Sequence, residues 1–112
     1  MSPNEASMSQ GSRHAEHIRF YEERYAQPPG AMRDYRCYLH LLDAVPGRRL
    51  LDIGCGEGFF LEEAARLGMV GYGVEIVPSA IRLARERVPS ARLTLAAGEA
   101  LPYADGSMDY VT

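Results

Sequence analysis

The chain has 112 residues, enough for one hydrophobic core and too few for two domains. Hydrophobic residues make up 46% and charged ones 24%, with a formal net charge of −3, which places it among ordinary globular chains. A net acidic chain with scattered arginines lacks the basic face of a nucleic-acid binder, and no apolar run reaches the length of a membrane span. Two cysteines, Cys37 and Cys55, with no C-x-x-C pattern and no signal peptide, fit a reducing cytoplasm.

Residues 1–12 are small and polar and read as a disordered leader. From His14 to Tyr25 the spacing of Ile18, Tyr21 and Tyr25 predicts a helix, which "QPPG" at 27–30 would stop. A second helix is expected from about Met32 to Ala44, with Tyr35, Tyr38, Leu39 and Leu42 as its buried stripe and Pro46-Gly47 beyond its end. Residues 13–46 thus form a helical segment ahead of a domain over 47–112. There "RLLDIG" reads as a strand and "EGFFLEEAARLG" as a helix with Phe60, Ala64 and Leu67 inward and Gly68 as its cap. "MVGYGVE" is a second strand, and "VPSAIRLARERV" a helix with Pro78 in its first turn. "ARLTLAAG" is a third strand, "LPYADGS" a loop, and "MDYVT" the start of a fourth strand. This alternation predicts an α/β fold, a doubly wound parallel sheet reached by right-handed crossovers.

The informative stretch is "LLDIGCGEG", where Gly54, Gly56 and Gly58 follow an apolar strand. In such a sheet ligands sit beyond the carboxyl ends of the strands, and glycine allows the backbone to approach them. Glu75 ends the next strand, in position to accept hydrogen bonds from both hydroxyls of a ribose. Loop and acid together point to an adenosine-like ligand. The dinucleotide fingerprint G-x-G-x-x-G fails, because Phe59 stands where its third glycine belongs. Glu57 would repel a pyrophosphate, and no lysine follows the glycines as a phosphate-binding loop requires. A ligand without phosphate and with a cationic centre suits the loop better.

Three segments, "LLDIGCGEG", "GYGVEIVPSAI" and "GEALPYADGSMDYVT", together resemble the first motifs of the class I S-adenosylmethionine-dependent methyltransferases, over about Leu50 to Thr112. The resemblance implies S-adenosyl-L-methionine as cofactor and a small-molecule methyl acceptor. It implies that Asp52, Gly54, Cys55 and Gly56 line the methionine end of the cofactor. Glu75 would take the ribose, and Ile76 would pack on the adenine. Glu99 would accept from the adenine amino group, with Ala100 giving a backbone N–H to the ring. The family more often has Asp where this chain has Glu99.

Each residue also has a plainer role. Asp52 could orient the loop by accepting backbone hydrogen bonds, Glu75 could be a solvated acid, and Glu99 a turn residue. Cys55 lacks a base to make it a nucleophile and reads as packing. His14 and His17 could ligate a metal but lack a third ligand, so no metal site is assigned and surface exposure is expected. His40 reads as structural, and Tyr21, Arg24 and Tyr25 read as packing and surface residues, with cofactor contact as the alternative because the leader in such families can fold over the cofactor. No catalytic residue is identified.

The family has seven strands in the order 3-2-1-4-5-7-6, and this chain supplies four, 3-2-1-4. The fourth strand is then expected to be an open edge. It would be completed by the rest of a longer enzyme or covered by a partner, including a second copy in a homodimer. Two rival functions follow, a nucleotide-dependent oxidoreductase and a non-catalytic cofactor- or partner-binding module.

Overall fold

The computed structural model describes residues 10–26 and 35–112. The "QPPG" stop, the proposed helix start at Met32 and residues 1–9 of the expected leader lie outside them. The chain folds in the order α1 (Gln10–Tyr25), α2 (Arg36–Leu41), β1 (Arg49–Ile53), α3 (Phe59–Arg66), β2 (Val70–Glu75), α4 (Pro78–Arg87), β3 (Arg92–Leu95) and β4 (Tyr110–Val111). Helix α1 begins at Gln10, four residues ahead of the expected His14, so residues 10–12 are helical rather than part of a loose leader.

The four strands form one parallel sheet in the order β3-β2-β1-β4, as the alternation predicts. Steps from β1 to β2 to β3 run in one direction, so right-handed crossovers place α3 and α4 on the same face. The chain then returns past β1 to lay β4 on its other side, and the winding reverses between β1 and β4. Such a reversal is where an open α/β sheet leaves a crevice at its carboxyl edge.

Beneath α3 the sheet is cut down to glycine. A Cβ on Gly73 would stand 2.7 Å from Leu93 Cδ2, 2.8 Å from Leu61 Cδ1 and 2.9 Å from Cys55 Sγ. Leu61, fully buried, fills the room that these missing side chains leave, and the close-packed core extends through Leu50, Phe60, Ala64, Met69 and Val88. Tyr35, just ahead of α2, brings its ring to 5.8 Å from that of Phe60. Leu67, expected inward, is instead 39% exposed, because α3 ends at Arg66 and its inner face runs through Phe60, Leu61 and Ala64. Gly68 closes the helix as expected, its N–H donating to Ala65 O while that of Met69 donates to Ala64 O.

The opposite face is covered at Leu51 and Val74, which are buried, and open at Ile53 and Val111. By register it carries Leu51 and Ile53, Tyr72 and Val74, and Val111. Tyr103 of the loop before β4 packs edge-on against Tyr72, whereas Val111 on the edge strand stays 58% exposed.

Candidate functional site

The glycine loop is shaped by its own backbone. Gly58 has φ +87° at the N-cap of α3, a left-handed conformation that L side chains adopt at a cost. A Cβ there would also come within 3.1 Å of Ala84 Cβ, so the same glycine lets α4 pack against the loop. The N–H groups of Gly54 and Cys55 both donate to Val74 O, at 2.7 and 3.1 Å, and that of Gly58 donates to Cys55 O at 3.0 Å. The Gly56 N–H donates to Glu75 Oε1 at 3.0 Å. Four loop donors are thereby turned inward, so they do not form the outward-facing nest that cradles a phosphate. That is a firmer objection to a pyrophosphate ligand than the charge on Glu57.

Glu75 is the hub of the site. Besides Gly56, its Oε2 accepts from the N–H groups of Ile76 and Val77 at 2.8 and 2.9 Å. The residue is 7% exposed, yet its carboxylate still borders an open cleft. Four lone-pair positions minus three internal bonds leave room for a ligand hydroxyl.

This cleft has a volume of about 440 Å³ and lies over the carboxyl ends of β1, β2 and β3. Ile53, Val74, Ile76 and Ala97 give it apolar walls, with Gly54 and Glu75 at one end and Glu99 at the other. Of the expected site residues, Gly54, Glu75, Ile76 and Glu99 therefore converge on it. Asp52, Cys55 and Gly56 sit beside it, and Ala100 is turned away, its N–H donating to Ala97 O at 3.1 Å rather than pointing to a ligand. That turn is local, which is why the strand pattern gave no hint of it.

Asp52 accepts a hydrogen bond from Thr112 Oγ1 at 3.0 Å. Burial pushes its carboxyl up to about 6, assisted by nearby Glu75 and opposed by the Thr112 bond. Burial likewise pushes the Cys55 thiol up to about 12, with Asp52 and Glu75 adding to it. A thiol so held is protonated at neutral pH and is no nucleophile, and its place in the core fits the packing role.

The wall opposite the sheet is helix α1. Gln10, Arg13, His14 and His17 line the cleft; His17 is exposed as expected, and His14 is partly covered. Further along, Glu22 Oε1 accepts from the Ser79 N–H at 3.0 Å, and the Tyr25 hydroxyl lies 2.9 Å from the Cβ position of Gly56. Burial raises that hydroxyl to about 12, with Glu75 and Glu57 adding to the effect. A signal for this wall was present. Positions 10, 14, 18, 21 and 25 continue one helical stripe, which turns from apolar to polar where it passes the cleft. Among the described residues no three His, Cys, Asp or Glu side chains converge as a metal site, and no helix is long and apolar enough to cross a membrane.

A family model described as a methyltransferase domain matches residues 51–112, more than half of the chain. The chain belongs to the methyltransferase domain family. An uncharacterized methyltransferase of Mycobacterium sp. (strain JLS) is 43% identical over 63 residues, covering 56% of this chain and 25% of that protein. The methyltransferase domain described above thus spans about a quarter of that relative's length. Among solved structures, a TehB-like S-adenosylmethionine-dependent methyltransferase from Corynebacterium glutamicum superposes with a TM-score of 0.63 at 20% identity, over 91% of this chain and 54% of its own. A methyltransferase from Thiobacillus denitrificans, solved in complex with S-adenosyl-L-homocysteine, superposes with a TM-score of 0.56 at 25% identity, over 69% of this chain and 34% of its own.

Proposed function

We propose that this chain is the cofactor-binding part of an S-adenosylmethionine-dependent methyltransferase acting on a small-molecule acceptor. The observation that carries the reading is Glu75, a buried strand-end carboxylate tied to the glycine loop through Gly56 and bordering an open cleft. The residues present fit the cofactor. A cleft of about 440 Å³ lies in the usual range for small-molecule sites. Its carboxylates suit a cationic ligand, and its inward-turned loop donors suit one without phosphate.

In this reading Glu75 accepts from a ribose hydroxyl, Ile76 packs on the adenine, and Glu99 accepts from the adenine amino group. Asp52, with Gly54, Cys55 and Gly56, borders the methionine end, where its carboxylate favours the ammonium. Ala100 is left out, since its N–H is already engaged. The bound cofactor supplies an activated methyl group on a sulfonium. The chain's own residues contribute by fixing where that group points and by excluding water on the sheet side, a positioning role.

Calorimetric titration with S-adenosylhomocysteine, and separately with NADH, tests the reading. Saturable binding of the first alone is expected, abolished in Ala97→Trp, which fills the cleft without touching the core. A folded chain that takes up neither ligand, or prefers NADH, overturns it. A second reading is a non-catalytic module that holds the cofactor or a partner chain. Binding without methyl transfer by the chain and its natural partners, together with a concentration-dependent dimer, would favour it.

A further inference from the structure

Glu99 stands on an exposed loop, with 58% of its side chain accessible, yet it is not left to solvent. His14 Nε2 lies 3.4 Å from Glu99 Oε1, and the side chain of Gln10, one helical turn earlier, also bonds this carboxylate. A local backbone N–H and these α1 partners hold the Glu99 carboxyl below its usual range. The contact joins residues 85 apart in sequence, across the mouth of the cleft. Helix α1 is therefore pinned at both ends. Glu22 and Tyr25 fix it to α4 and the glycine loop, and the other end rests on a contact that includes an imidazole.

We propose, resting on the cofactor reading above, that His14 is a positioning residue: as imidazolium it draws Glu99 and α1 together over the adenine end of the cleft, and as neutral imidazole it slackens that closure. With His14, Gln10 and a backbone N–H on it, the Glu99 carboxylate, which offers about four lone-pair positions, keeps room for one ligand donor. The charged and titratable groups that share the cleft with His14 are Glu99 on the loop, Glu75 at the end of β2, and Arg13 and His17 on α1. His14 and His17 are the two imidazoles lining the cleft, and imidazole is the side-chain class suited to a switch of charge near physiological pH. Asp52, beside the cleft, also titrates near there, and its ionisation favours the ammonium of the cofactor. Its effect opposes that of His14 and must be cancelled in any test.

The test is the affinity of the chain for S-adenosylhomocysteine, compared between wild type and His14→Gln at each of several pH values, so that Asp52 and His17 contribute equally to both. Glutamine keeps a donor but carries no charge. At about pH 5.5 the wild type is expected to bind about two- to fivefold more tightly, the size of a partly exposed ion pair, and the ratio to fall to about one by pH 8.5. In a Glu99→Gln background the His14→Gln change is expected to have no effect at any pH. A ratio that stays constant with pH, or an effect that survives without Glu99, overturns the proposal while the cofactor reading stands. Absence of any binding by the folded wild type overturns both.

Discussion

Replacing Glu75 tests whether this carboxylate holds the site together as well as facing a ligand. It accepts three backbone N–H bonds, from Gly56, Ile76 and Val77, in a residue only 7% exposed. In Glu75→Gln one oxygen becomes an amide nitrogen, which cannot accept. The remaining oxygen can serve Ile76 and Val77, leaving the Gly56 N–H facing another donor. A hydrogen bond to a charged group contributes about 1.5–3 kcal/mol, so Glu75→Gln is expected to lower the unfolding free energy by about that amount. Glu75→Ala abandons all three donors, and since water can reach those of Gly56 and Ile76, a loss of about 3–5 kcal/mol is expected. For a domain of this size each kcal/mol moves the melting temperature by about 4–8 °C. The assay is urea unfolding of the ligand-free chain followed by far-UV circular dichroism, with thermal melts alongside. Both variants within about 0.5 kcal/mol of wild type would refute the reasoning, because internal bonds that cost nothing to lose hold nothing in place. The outcome also governs how binding data are read. Lost affinity in Glu75→Ala reports a ribose contact only after correction for the fraction still folded.

Three further outcomes are expected. Gly58→Ala should cost more stability than Gly54→Ala in a thermal melt: at Gly54, φ +72° with no atom within 4 Å of the Cβ position, only the backbone penalty of about 1–2 kcal/mol applies, while Gly58 adds a clash with Ala84. Asp52 carries a folded-state carboxyl raised from 3.8 to about 6, so the native state binds its proton more tightly than the unfolded chain. Its contribution is therefore present at low pH and lost as pH rises from about 4 to 6, by up to about 3 kcal/mol, and Asp52→Asn, which still accepts from Thr112, should lack that part of the pH dependence in denaturant titrations. A thiol-reactive chromogenic disulfide at neutral pH should label the exposed Cys37 quickly and reach the buried, protonated Cys55 only after unfolding; rapid labelling of both in the native chain would contradict the packing of the loop.

What the sequence determined by itself was whatever depends on neighbours along the chain. The α/β alternation, the proline that opens α4, the glycine that caps α3 and the strand-end position of Glu75 all follow from periodicity and turn chemistry over a few residues. The parallel order of the strands then follows from the handedness of the crossovers. Tertiary structure decided where each polar group is spent. The loop donors of Gly54, Cys55 and Gly56 go to Val74 and Glu75, about twenty residues away, and the Ala100 N–H closes a turn. Gly71 and Gly73 prove to be the floor on which Leu61 rests. Helix α1 supplies a cleft wall, because its polar half meets the carboxyl edge of the sheet only after its apolar half has docked. A polar stripe reads alike in sequence whether it faces solvent or a ligand. Only the docking of α1, with Glu22 on the Ser79 N–H and Tyr25 on Gly56, puts His14 within reach of Glu99.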